Sequence, residues 1–184
     1  MKTCLLVIDM QNEFKDGCLS CGMVDDELVK RVKGLIKFCR EKKIGVIFTQ
    51  HIIKEDLSDK EKFEDEPDYC IEGTRGIEFI DGIKPEKNEK VFRKNRISAL
   101  YKTGLKEYLR EKGFEEIIIC GVMTNCCVRQ TALELQIRDF KIIVVGDCCA
   151  TSDKRIHDFT LNEIENLVSG LDVVGLEEFE SKLC

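Results

Sequence analysis

Apolar residues gather in six short runs, and the stretches between them carry apolar positions at helical spacing. The runs are TCLLVID at 3–9, IGVIFT at 44–49, KVFRK at 90–94, EIIICG at 116–121, KIIVVG at 141–146 and LDVV at 171–174, all of strand length. Residues 25–42, 101–112, 125–138 and 153–167 predict helices; in the first, Val29, Val32, Leu35, Ile36 and Cys39 recur every three or four positions. Strands joined by helices imply parallel pairing. The runs at 116–121 and 141–146 are almost unbroken, so both faces of the sheet should be covered. The pattern predicts an α/β fold, a three-layer doubly wound sheet of about six parallel strands with helices on both faces, Rossmann-like in architecture. No repeat or low-complexity tract divides residues 1–184, which read as a single domain. The exception to regularity is 51–72, HIIKEDLSDKEKFEDEPDYCIE, acidic and poorly periodic. It is either a solvated excursion or a loop covering a ligand at the carboxyl edge of the sheet.

Composition excludes several classes of function. No apolar run approaches the roughly 18 residues that span a bilayer, so no membrane association is expected. Lys and Arg number 29 against 35 Asp and Glu, a net charge of −6, the wrong sign for a nucleic-acid footprint. The chain carries eleven cysteines, yet the apolar run Cys4–Ile8 is cut by Asp9, too short for an export signal. A cytoplasmic protein with free thiols is the expectation, the cysteines acting as core fillers, ligands or reactive groups.

In a doubly wound sheet the ligand crevice opens beyond the carboxyl ends of the strands, where strand order reverses. Asp9 closes the first run, and the MQNEF that follows has no helical pattern, so helix capping does not explain the acid; a turn-former is the competing explanation. Lys94 closes the third run as a possible partner for a buried acid, or as a solvated lysine. The fourth run leads into GVMTNCCVRQTALEL, where Thr124 or Asn125 can cap a helix with Cys126 and Cys127 in its first turn. A thiol there sits at the positive end of the helix dipole, which lowers its pKa; a small buried apolar residue is the plainer alternative. The usual base for such a thiol is histidine, but neither His51 nor His157 obviously faces this junction, which leaves Asp9 as the candidate base.

LLVIDMQNEF, VFRKNRISAL and GVMTNCCVRQTA, in that order, resemble the signature segments of the isochorismatase-like cysteine hydrolases, the superfamily that includes nicotinamidase and N-carbamoylsarcosine amidohydrolase. The resemblance implies that Asp9 is the catalytic acid and base, Lys94 the catalytic lysine and Cys127 the nucleophile. It also implies a non-proline cis peptide between Val122 and Met123, with the Met123 and Cys127 amides forming an oxyanion hole, and Gln11 and Phe14 lining the pocket. EGTRG at 72–76 matches the loop after the second strand. Nicotinamidases bind a divalent metal through an Asp-x-His, matched here by His51 and Ile53, so neither metal nor cofactor is expected. Ile97 and Leu100 stand where relatives carry aromatic residues. The implied activity is cleavage of a C–N bond in a small amide or carbamoyl compound through a thioester, by a homo-oligomer, dimer or tetramer. The alternatives are a vinyl-ether hydrolase of the isochorismatase type and a non-catalytic thiol redox or binding protein. Cys18 and Cys21 have redox or zinc spacing, Cys148 and Cys149 suggest packing, and Arg129 either grips a carboxylate or forms a surface salt bridge.

Overall fold

The structure, a computed structural model, describes residues 1–62 and 67–183. Six parallel strands, β1 (Thr3–Ile8), β2 (Gly45–His51), β3 (Lys90–Lys94), β4 (Glu116–Val122), β5 (Lys141–Ala150) and β6 (Leu171–Val174), form one sheet in the order β3-β2-β1-β4-β5-β6. Strand order reverses between β1 and β4, which makes their carboxyl ends the switch point of a doubly wound fold.

Side-chain alternation in the central strands divides the core in two. Leu5 and Val7 of β1, with Ile118, Cys120 and Val122 of β4, face helix α2 (Asp26–Glu41) through its Leu28, Val32, Leu35 and Cys39, and helix α6 (Leu176–Ser181) through Phe179. Cys4, Leu6 and Ile8, with Ile117 and Ile119, face helices α3 (Leu105–Glu111), α4 (Arg129–Gln136) and α5 (Lys154–Leu167), whose Leu109, Leu135 and Ile164 are fully buried. Asp25 caps α2 by accepting from the Leu28 N–H at 2.7 Å, which stabilises the helix start.

Several boundaries depart from the periodicity. A short helix α1, Asn12–Asp16, follows Asp9, where MQNEF gives no helical signal; its Asn12, Glu13 and Phe14 are all buried, so packing rather than amphipathic spacing forms it. The helix expected from 101 starts only at Leu105, after Gly104 in a left-handed conformation at φ 77°. The helix expected from 125 opens as a π-helical turn, Thr124–Val128, before α4. β5 runs on to Ala150 because the β4 register shifts after Ile119, pairing Gly121 with Cys149 and Val122 with Ala150.

That shift matters at the switch point. Gly121 sits at φ 120° and pairs with Ile8, and a Cβ there would press into the Ile8 carbonyl oxygen. Only glycine lets the two backbones come this close. The next residue of the first strand's chain, Asp9, takes φ 48°, an uncommon conformation that aspartate tolerates better than most residues.

Candidate active site

Three strand ends deliver three side chains to one point. Asp9 leaves β1 fully buried, with Thr49 of β2 donating its hydroxyl proton to Oδ1 at 2.7 Å and accepting the Asp9 N–H at 3.2 Å. Lys94 ends β3, and its Nζ crosses the end of β2 to reach Asp9 Oδ2 at 2.6 Å and Cys127 Sγ at 3.2 Å. Cys127 lies in the π-helical turn after β4 and is 5% exposed. The turn itself is held by Thr124 Oγ1 against His157 Nδ1 at 2.9 Å and by the Thr151 hydroxyl donating to Asn125 Oδ1 at 2.6 Å. The peptide bond between Val122 and Met123 is cis.

The charges are tightly coupled. Burial alone would favour a neutral Lys94, but Asp9, followed by Cys127, outweighs it and holds the ammonium well above its usual range. Burial pushes the Cys127 thiol up to about 12; Lys94 pulls it down and Asp9 opposes that pull. This corrects the expectation of an acidified thiol at a helix start, because desolvation wins at a fully enclosed sulfur. The resting site is a thiol between a carboxylate and an ammonium, so forming the thiolate requires an immediate acceptor for its proton.

His51, which the sequence did not place facing this junction, lies in it. It ends β2 directly opposite Lys94 in the strand register, 3% exposed, with Nδ1 3.1 Å from Lys94 Nζ. The signal that joins it to Lys94 is the pairing of two strand ends, which a linear sequence conceals. Gln11 fixes its backbone, accepting the His51 N–H at 2.7 Å and donating to the His51 carbonyl at 2.9 Å and that of Ile77 at 3.1 Å. The Gln11 amide is thus engaged by backbone, and Phe14, 2% exposed, lies in the core facing α2. Both were expected to line the pocket; Gln11 is wholly buried and Phe14 nearly so.

The described part of the 51–72 excursion returns to this place, while 63–66 lie outside the described residues. Ile53 and Ile71 form a bridge, Tyr69 lies over the His51 ring at 5.2 Å, and Glu13 of α1 accepts the N–H of Cys70 at 3.0 Å and of Cys18 at 2.7 Å. Burial would raise the Glu13 pKa, yet those N–H donors hold it below the usual range. Lys94 also borders a cleft of 470 Å³ whose lining includes Lys54, Arg93, Arg96 and Lys102 beside Asp59 and Glu72.

A metal does not fit here. Among the described residues Asp9, His51 and Cys127 offer donors within 4.8 Å of one another, but the Lys94 ammonium touches all three and already supplies the positive charge. Ile53, at the second matched position, is apolar and 1% exposed. Elsewhere, Arg129 pairs with Glu163 at 2.7 Å on the surface. None of the ten described cysteines, Cys18 and Cys21 included, is in a disulfide, and Cys148 and Cys149 are buried. No described helix is long and apolar enough to cross a membrane.

Comparison with known proteins identifies the family and the fold. The isochorismatase domain family matches residues 3–177. Nicotinamidase 3 of Arabidopsis thaliana is 34% identical over 160 residues, 85% of this chain and 77% of that protein. A probable inactive nicotinamidase of the same plant is 30% identical over 191 aligned positions, 98% of this chain and 96% of its own. The crystal structure of an isochorismatase family protein from Desulfovibrio vulgaris superposes with a TM-score of 0.90 at 28% identity, covering 99% of this chain and 98% of that one. With a family match across nearly its whole length and the same fold beneath it, the chain belongs to the isochorismatase family of hydrolases.

Proposed function

We propose that this hydrolase cleaves a carbon–nitrogen bond of a small amide or carbamoyl compound through a thioester on Cys127, with residues 1–184 acting as one catalytic domain. The observation that carries the proposal is the position of Lys94 Nζ, 2.6 Å from Asp9 Oδ2 and 3.2 Å from Cys127 Sγ. A proton-accepting carboxylate and a charge-stabilising ammonium converge there on one sulfur.

As Sγ attacks the carbonyl carbon, its proton passes to Asp9, and Lys94 stabilises the sulfur's negative charge. The backbone N–H groups of Met123 and Cys127 receive the oxyanion of the tetrahedral intermediate. Asp9 then gives its proton to the nitrogen, the C–N bond breaks and the amine or ammonia leaves. Water attacks the thioester, losing a proton to Asp9, and that proton returns to the sulfur as the acid product departs. A thiol with a pKa of about 12 suits this sequence, because proton transfer and attack proceed together and no free thiolate has to accumulate.

Placement of Lys94 against Sγ favours this chemistry over vinyl-ether hydrolysis, which has no use for a sulfur nucleophile. It also favours an enzyme over a thiol sensor, since burial pushes several other thiols, such as Cys21 and Cys39, well up with no cation bonded to them. The partners in this proposal are a small-molecule substrate and further copies of the chain, as a dimer or tetramer in the cytoplasm. The test is ammonia release from a panel of small amides, ureas and N-carbamoyl acids. Cys127→Ser and Asp9→Asn should each lose at least about a thousandfold in kcat/KM on the best substrate; near-wild-type rates in both would overturn the assignment.

A further inference from the structure

Lys94 has three protons and four acceptors. Around Nζ lie Asp9 Oδ2 at 2.6 Å, the Arg96 carbonyl at 3.0 Å, His51 Nδ1 at 3.1 Å and Cys127 Sγ at 3.2 Å. An ammonium only donates, so the His51 nitrogen facing it is the bare one and the ring proton sits on Nε2. The imidazole is also neutral. Burial and then Lys94, assisted by Arg96, push its pKa down to about 3 against the opposing pull of Asp9 and Asp59, and the ring of Tyr69 closes the remaining side.

Three protons meet three acceptors while the thiol is intact, the Arg96 carbonyl, His51 and Cys127 Sγ, and Asp9 Oδ2 is held beside them as an ion pair. When the thiol proton moves to Asp9, the carboxylate loses its charge and the sulfur gains one. The Lys94 proton directed at Sγ then meets a thiolate in place of a thiol, while the other two stay on acceptors whose charge never changes. Those two acceptors are the Arg96 carbonyl and His51.

We propose that His51 is a positioning residue for Lys94: as the neutral Nε2–H tautomer it accepts one Lys94 proton at Nδ1 and, with the Arg96 carbonyl, holds the ammonium fixed while its charge partner changes from Asp9 to Cys127. The role rests on the Asp9–Lys94–Cys127 mechanism above. A neutral acceptor suits it, because a carboxylate at position 51 would compete with the thiolate for the same ammonium. Among the described residues the buried Nε2 has no hydrogen-bond partner.

The chain has two histidines, so spectra of protein labelled with ¹⁵N-histidine contain two rings, and His157→Gln identifies which is which. Between about pH 5 and about pH 8, His51 should stay neutral with its proton on Nε2, and its Nδ1 resonance should move in Lys94→Met. A proton on Nδ1, titration within that range or indifference to Lys94→Met would overturn the proposal. The second measurement is the rate of Cys127 alkylation by iodoacetamide, read by peptide mass spectrometry. His51→Ala should slow it about tenfold, equivalent to raising the thiol pKa by about one unit, and His51→Gln, whose amide oxygen can accept from Lys94, should recover most of the loss. A merely structural histidine would leave the Cys127 rate of the folded protein unchanged in both variants. Should the tautomer and alkylation results hold while Cys127→Ser and Asp9→Asn keep full activity, the hydrolytic mechanism fails and the His51–Lys94 contact survives; the reverse pattern removes the positioning role alone.

Discussion

β1 and β2 lie side by side and end at the same edge of the sheet, yet their last side chains are held in opposite ways. Asp9, beyond β1, is held through both oxygens, by the Thr49 hydroxyl at 2.7 Å and by an ion pair with Lys94 at 2.6 Å. His51, closing β2, is neutral, bonded at one nitrogen and, among the described residues, unpartnered at the other. The first end supplies chemistry and the second a fixed reference point. A buried ammonium can serve a changing reaction only where some of its partners keep their charge throughout.

Removing the common partner of both ends should have the largest effect. Lys94→Met leaves the Asp9 carboxylate buried and uncompensated, which costs about 3–5 kcal/mol in unfolding free energy as well as the activity; urea denaturation measures it, and a loss below about 1 kcal/mol would mean the pair is solvated. Gly121→Ala strikes the close approach that places Asp9. With φ at 120° and the Ile8 carbonyl in the way, destabilisation of roughly 2–4 kcal/mol is expected, and wild-type stability would show that the two strand ends have room to spare.

The two ends also separate by pH. An unfolded imidazole takes its proton near 6.5, whereas folded His51 resists protonation down to about 3. Between those values the unfolded chain binds more protons, so stability falls as pH is lowered, by up to about 1.4 kcal/mol per unit from this residue. His157 is shifted down by burial as well, so the comparison is wild type against His51→Gln, which should show the shallower slope; equal slopes would mean that His51 titrates freely. Smallest of all, Arg129→Ala breaks an ion pair with both partners 31% exposed and should change stability by no more than about 1 kcal/mol and leave kcat unaltered. A large loss of kcat would place Arg129 at the substrate.

How far the sequence announces these features follows from their physics. Asp9 and Lys94 stand out because each closes a strand run, where a polar group needs a reason, and Cys127 because it stands in the first turn of the helix expected after the fourth run. The six strands read out for the same cause, and their two-sided burial follows from the unbroken runs of β4 and β5. Helix α1 does not read out, because five residues are too few to display a period and its Glu13 is buried by donors from nearby Cys18 and from Cys70, distant in the chain. The π-helical turn is equally silent, since TNCCV carries an ordinary capping pattern and the wider turn is a matter of tertiary fit. The pKa of Cys127 was misjudged from local position alone: a helix start acidifies a thiol only where water or ligand reaches it, and here burial dominates. His51 gains its role from β2–β3 register, which no linear pattern encodes.

The central claim is a covalent intermediate on one sulfur, and it can be caught directly. The protein is mixed with whichever amide or carbamoyl compound releases ammonia fastest, quenched in acid during turnover and digested for mass spectrometry. The account predicts the acyl mass on the peptide bearing Cys127, disappearing as substrate is exhausted and absent in Cys127→Ser. Steady turnover with no acyl group on Cys127, or the acyl group on a different cysteine, would contradict it.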